Sequence, residues 1–501
     1  MIHSTTVECS RGTMTANDAL EALYFGSVDS ESEDDLDRLF VKTRDFDKFL
    51  KRNTFLALGA KGTGKSALYE LFTRYEDAVR KLAGRALDGV IIASGTGLGD
   101  LSEVATGDLQ ELQLPDGTYD HNRIWRLYIA VKSALALNSK IKIPSGPLKE
   151  LLTEAGARKD NRIGPLLLDL WVKAVAKGPS EIKIAARGSS VSFGDSKKKQ
   201  LDVVSILSSI QTALQQSGST IWLLFDKVDE IWPGDPDERR RALEGLISEV
   251  MQIRRLYPAI QPKILLRTDL WAELHFTNKD HLTDKRIELG WNRDQLESLL
   301  VRRAVHPAEV WEFVINQHPE LRRRTLADDW SRSEIRAALQ AIFPPTAYPG
   351  DKEADFMSWL YERVKDGRGT ALPRDAIVLA REAAEGQLDA GPASDKTLIS
   401  REAVREAFTR TSQIRCETFL AEFPDLKTHF GRFKGQTTSV FSRAELLELM
   451  SDLDPTGDKM LERLCEIGVL RPDSERALTA EKFEVPRLYR TGLGLVIRGR
   501  P

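Results

Sequence analysis

The sequence predicts an α/β fold: a parallel sheet with helices on it, then a mostly helical region, then a small C-terminal module of helices and short strands. Three observations predict it. An apolar run, Thr54 to Leu58, ends in a glycine-rich turn and is followed by a helix-forming run, Ser66 to Tyr75. A second apolar run, Ile221 to Phe225, ends in the acids Asp226, Asp229 and Glu230. Short, uniformly apolar runs of this kind read as strands buried on both faces, as in a parallel sheet. From about residue 416 the order is helix, turn, helix and two short β candidates.

The turn after the first run, Gly59-Ala60-Lys61-Gly62-Thr63-Gly64-Lys65-Ser66, reads G-x-x-x-x-G-K-S, the spacing of a phosphate-binding loop. Glycines let the backbone curl so that successive N–H groups face an anion. The following helix adds its free N–H groups and partial positive charge. The expected nucleotide contacts run from Gly59 to Ala67. Lys65 is expected to reach the β- and γ-phosphates, and the Ser66 hydroxyl to ligate Mg²⁺, which prefers oxygen donors. The acids after Phe225 stand at a strand's carboxyl end, where open α/β sheets place ligands. Asp226 is expected to hold Mg²⁺ through its water shell, and Asp229 or Glu230 to orient and deprotonate an attacking water. No N/T-K-x-D guanine motif follows Asp226, which favours ATP over GTP.

Bulk composition sets bounds. The 501 residues are 41% apolar and 29% charged, the profile of a soluble globular protein with one to three domains. Lys+Arg 72 against Asp+Glu 75 leaves a net charge of −3, so no global basic excess points to nucleic acid. Cys9, Cys416 and Cys465 are far apart, without metal spacing or a disulfide framework. No apolar run approaches membrane-spanning length, and Met1 to Asn17 lacks a signal-peptide core. A cytoplasmic protein without a membrane partner is expected.

Taken in order, helices are expected at Ala16 to Tyr24 and Arg38 to Leu50, with the acidic run Ser27 to Asp37 between them as a solvated cap or loop. A second strand is expected at Asp88 to Ala93. Residues 100–200 are expected as an ordered insertion, with helices at Asn122 to Leu137, Leu148 to Ala155 and Ile163 to Ala176, a hairpin at Ile182 to Phe193 and a basic loop at Lys197 to Lys199. Glu238 to Tyr257 reads as a helix carrying Arg239, Arg240, Arg241, Arg254 and Arg255. Strands are expected at Lys263 to Leu266 and Arg286 to Leu289. Trp291-Asn292-Arg293-Asp294 reads as the cap of a helix Gln295 to Val305, and further helices are expected at Ser333 to Ile342, Glu353 to Lys365 and Pro373 to Glu385. Pro373 suits the first helical position, where its missing N–H costs nothing. The C-terminal helices Arg443 to Leu449 and Lys459 to Ile467, with strands at Val469 to Arg471 and Lys482 to Val485, make a winged-helix order.

The pattern D-x-x-D-E at Asp226 to Glu230, after a buried strand and paired with the loop, resembles the acidic motif of STAND-class ATPases related to AAA+, in particular the NACHT-like branch. Lys227 stands where AAA+ proteins carry glutamate, which favours Asp229 or Glu230 as the water-activating group. The whole chain resembles bacterial P-loop ATPases of the STAND/AAA+ group, including origin-recognition-like members. The resemblance implies a P-loop core at 1–290, a helical lid at 291–415 and a winged helix at 416–501. It implies that Tyr24, Phe25 and Gly26 contact the base, that Arg267 senses the γ-phosphate, that Pro373 packs on adenine as in a G-L-P motif, and that Arg374 is a second sensor. A salt bridge to Asp269 is the plain alternative for Arg267. An arginine of 239–255 reaching a neighbour's γ-phosphate in a homo-oligomer is a further implication, against an ordinary exposed basic face.

The activity so implied is a slow, regulated ATPase switch in which the γ-phosphate favours a closed core and lid. It would control a partner effector protein encoded nearby, as in anti-phage defence. The alternatives are a DNA-directed machine of the origin-recognition or helicase-loading kind, and a scaffold that holds ATP without hydrolysis.

Overall fold

The computed structural model describes residues 15–95, 112–114, 117–140, 146–156, 170, 202–230, 235–277, 279–324 and 330–495. The expected elements at Ile163 to Ala176, Ile182 to Phe193 and Lys197 to Lys199 lie outside them, as does Cys9. Two compact units form: Arg44–Ala60 with Lys65–Leu289, and the chain up to Thr43 with Lys61–Gly64 and the chain from Gly290 on.

The unit around Lys65–Leu289 is built on five strands, β1 (Leu56–Gly59), β2 (Val90–Gly95), β3 (Thr220–Phe225), β4 (Ile260–Arg267) and β5 (Arg286–Glu288). All pairings are parallel, in the order β2-β3-β4-β1-β5. The expected α/β class with a parallel sheet is therefore what the chain adopts. Helices α1 (Arg44–Phe49), α2 (Lys65–Thr73), α3 (His121–Asn138), α4 (Val203–Gln216) and α5 (Pro236–Leu256) surround the sheet.

Alternation along β3 shows both faces covered. Trp222 meets Phe72 of α2 at 6.1 Å between ring centroids, whereas Phe225, on the other face, meets Trp125 and Tyr128 of α3 at 5.9 and 5.7 Å. Thus His121–Asn138, expected inside an insertion, is a core layer of the sheet. α3 is tied to α5 by the buried Glu249, which accepts from Arg126 Nε and Nη2 at 2.7 and 2.9 Å.

β4 carries a fully buried cation, Lys263. Its ammonium donates to the carbonyls of Phe49 and Thr54 at 2.6 Å and of Lys51 at 3.2 Å, and lies 4.1 Å from the Trp222 ring centroid. Burial, and then the charge of Arg254, push its pKa well below the ordinary lysine range. The lysine gathers the carbonyls that end α1 and feed β1, so it fixes the strand from which the glycine-rich turn departs. Lys263→Met is expected to cost about 2–5 kcal/mol, because the buried carbonyls of Phe49 and Thr54 and the part-buried one of Lys51 lose their donor. A fall in the midpoint of urea unfolding without loss of the folded baseline measures it.

The second unit is helical, with α6 (Arg293–Ala304), α7 (Arg332–Ile342), α8 (Pro373–Leu388) and α9 (Arg401–Glu422). Asn292 caps α6 in a capping box with Gln295, and Pro373 opens α8, both as expected. The acidic run is not wholly solvated: Glu33 is 7% exposed and accepts from Arg303 at 2.8 Å. Phe25, expected as a base contact, is core: it is fully buried 5.7 Å from Phe343.

After α9 come β6 (Val440–Ser442), α10 (Arg443–Leu449), α11 (Asp458–Glu466), β7 (Arg471–Pro472) and β8 (Lys482–Glu484), the strands pairing antiparallel as β6-β8-β7. This is the winged-helix order with a third strand, β6, that the sequence analysis does not find. The boundary expected between residues 415 and 416 falls inside α9. Ala403, Val404 and Ala407 pack in the core of the preceding helices, and Cys416 and Phe419 in that of the winged helix. Burial pushes the thiols of Cys416 and Cys465 up to about 12, so both are packing residues and not nucleophiles.

Candidate phosphate-binding site

In the sheet unit, β1 delivers the chain to Gly59, which lies beside Arg267 of β4. α2 starts at Lys65 with no acid in its first turn, so nothing opposes the positive end of its dipole. Lys65 Nζ donates to the loop carbonyls of Gly59 and Ala60 at 2.9 and 3.0 Å. Ser66 and Ala67 follow in the same turn, half-buried.

Asp226 is 4% exposed at the carboxyl end of β3. β3 is not adjacent to β1. β4 lies between them, which sets the two strands about 10 Å apart. The strand-end residue of β4 is Arg267, whose guanidinium pairs with Asp269 through Nε–Oδ1 at 3.1 Å and Nη2–Oδ2 at 2.7 Å. The pairing anticipated as its plain alternative is thus present.

Directly after Asp226, Lys227 has φ +55. A long side chain in this left-handed region costs about 1 kcal/mol or more. The strained residue bends the chain off the strand into the 3-10 turn Val228–Glu230. Glu230 is exposed there, and the Asp229 side chain lies outside the described residues. Of the arginines on α5, Arg240 and Arg241 pair with acids of their own helix, and Arg254 donates to the carbonyl of Pro262 at 3.3 Å.

The unit containing Lys61–Gly64 holds the rest of the loop. Gly62 and Gly64 have φ +87 and +96, a conformation in which a side chain is strained. A methyl on Gly62 would also stand 3.1 Å from Arg374 Cβ. Arg374, the second residue of α8, therefore stands at the loop tip within this unit. Arg374 Nε is buried without a hydrogen-bond partner.

Two further residues touch the tip, and no local pattern in the sequence could assign them. Trp291 Nε1 donates to the Thr63 carbonyl at 2.9 Å. Lys61 pairs at 3.0 Å with Glu422, the last residue of α9, whose side chain is almost wholly enclosed.

No protein-family model matches the chain, and no curated protein matches it. Among solved structures it is similar to a Walker-type ATPase of Pyrococcus abyssi, at 10% identity over 97% of this chain and 99% of that one, TM-score 0.35. It is similar also to the ORC2 protein of Aeropyrum pernix in ADPNP–ADP complexes, at 12% identity over 90% and 91%, TM-score 0.34. The Cdc6p protein of Pyrobaculum aerophilum is similar at 12% identity over 88% and 87%, TM-score 0.29.

The donor set suits a magnesium–phosphate ligand. Among the described residues no group of three or more His, Cys, Asp or Glu gathers that could hold a metal unaided. Mg²⁺ does not need one, since it takes one or two protein oxygens and completes its shell with phosphate and water. Ser66 and Asp226 are the oxygen donors expected in that role.

Because the Trp291 indole holds the loop tip, nucleotide on the loop is expected to change its emission. The ATP-dependent fluorescence change should disappear in Trp291→Phe while the other eight of the nine tryptophans remain.

Proposed function

We propose that this chain binds Mg²⁺-ATP on Gly59–Ala67 and hydrolyses it slowly, as a conformational switch of the AAA+-like kind. One observation carries the reading. A glycine-rich loop with two left-handed glycines opens a helix at Lys65, while a buried aspartate ends another strand of the same parallel sheet. Lys65 leaves the loop carbonyls for phosphate oxygens. Ser66 and Asp226 hold the metal, which when bound neutralises charge developing on the phosphates. Asp229 or Glu230, in the turn that Lys227 starts, takes the proton of the attacking water. Arg374, beside the loop tip, supplies the cation that distinguishes ATP from ADP. The experiment is nucleotide binding and turnover in the Lys65 and Asp229/Glu230 variants set out below.

The division into a nucleotide core, a lid and a winged helix, assembly as a homo-oligomer, and control of an effector protein in anti-phage defence remain part of this proposal, supported by the resemblance of the loop and acidic motifs. The winged-helix order favours a second, DNA-directed reading. The charges of α11 are mixed, Asp458, Glu462 and Glu466 beside Lys459 and Arg463, so the helix does not present the basic face that a phosphate backbone attracts. Salt-dependent duplex binding by the full chain would support the second reading. Among the described residues no helix is long and apolar enough to cross a membrane.

A further inference from the structure

Between α8 and α9 the second unit encloses a cavity of about 280 Å³, bordered by Val28, Arg374, Asp375, Val378, Arg381 and Arg415 among others. Asp375 is 4% exposed and Arg415 6%. Ionisable groups buried to this degree are ordinarily paired and hydrogen-bonded. Here, among the described residues, Asp375 Oδ2, Arg415 Nε, Arg415 Nη1 and Arg374 Nε have no hydrogen-bond partner. The nearest approach among them, Arg415 Nε to Asp375 Oδ2, is 3.9 Å, too long for a direct hydrogen bond. Only Arg415 Nη2 reaches a partner, the Tyr489 hydroxyl at 3.5 Å.

At the outer end the charges are answered by neighbours: Arg381 lies 3.7 Å from Glu385, and Glu382 lies 3.8 Å from Arg410. At the inner end Arg415 stands against Asp375, with Arg374 of the loop tip on the same rim; Asp366 and Glu422 act on Asp375 too, each held by a cation of its own, Arg368 and Lys61, at 3.0 Å. Burial pushes that Asp375 carboxyl above its ordinary range, against the pull of Arg415 and Arg374.

We propose that this cavity is a second ligand site that takes a small molecule bearing an oxyanion, phosphate or carboxylate, beside a hydrogen-bond donor. Guanidinium forks match the oxygens of such a group, and Arg415 has two unused N–H directions to offer it. Asp375 Oδ2 accepts from the ligand's donor. The volume sits just below that of pockets for drug-sized ligands, so the ligand is a small metabolite.

The test titrates inorganic phosphate, and separately acetate, into the full-length protein, by calorimetry and by the shift of Tm. Saturable binding of either anion is expected, equal in the parental and Lys65→Ala proteins. Which anion saturates identifies the ligand as a phosphate or a carboxylate. Val378→Phe fills the cavity and leaves its charges in place, and should weaken binding about tenfold or more, as should Arg415→Gln. If Arg415→Gln fails to fold, Val378→Phe, which keeps every charge of the site, carries the test alone. Absence of saturable binding overturns the proposal, and so does parental affinity in the cavity variants. Loss of binding in Lys65→Ala alone would place the anion on the loop, overturning the cavity site while leaving the ATP reading standing.

Discussion

Lys65→Ala is expected to lose ATP binding by at least about a hundredfold while the fold persists. The ammonium is the one side-chain cation at the start of α2, and its hydrogen bonds to phosphate are charge-assisted. Two such bonds at about 1.5–3 kcal/mol each span a hundredfold loss or more. In the structure it donates to the carbonyls of Gly59 and Ala60, within its own loop. Calorimetric titration with ATP reads the affinity, and circular dichroism checks the fold. Affinity within about threefold of the parent would show that the loop does not grip a triphosphate.

The paired change Asp229→Asn with Glu230→Gln should separate binding from turnover. Both amides keep the size of the side chain and remove the base. ATP affinity is expected to stay near the parental value, and the hydrolysis rate to fall about 10²–10⁴-fold, the usual worth of a positioned general base. Parental turnover in the double variant would remove both residues from the water-activating role. The position is informative because it follows Lys227, whose left-handed backbone sets the direction of the turn.

What the sequence made legible was local. The loop, its strand and its helix are contiguous, so their chemistry is written in one stretch of spacing. Asn292 and Pro373 likewise mark helix starts by effects that reach only a few residues. Long-range facts were not written anywhere. Nothing in 54–70 says that β4 would stand between β1 and β3, because strand order depends on which edge each crossover reaches. Glu422 reads as an ordinary acid near a helix end, and only tertiary packing puts it against Lys61. Glu33 looked solvated because its run is dense in acids, yet one member is buried where Arg303 can neutralise it. The boundary expected at 415/416 falls inside the 22-residue α9, whose buried positions are mostly small or polar, Ala403, Ala407, Thr411 and Ser412 among them, and give a weak apolar stripe.

α9 has one mechanical implication. About 33 Å of uninterrupted helix is cemented at its start into one hydrophobic mass and at its finish into another. No hinge interrupts the shaft. Rotation or tilt imposed at Ala403 must arrive at Phe419, and the wing cannot swivel like a tethered flag; it has to be carried as the head of a lever.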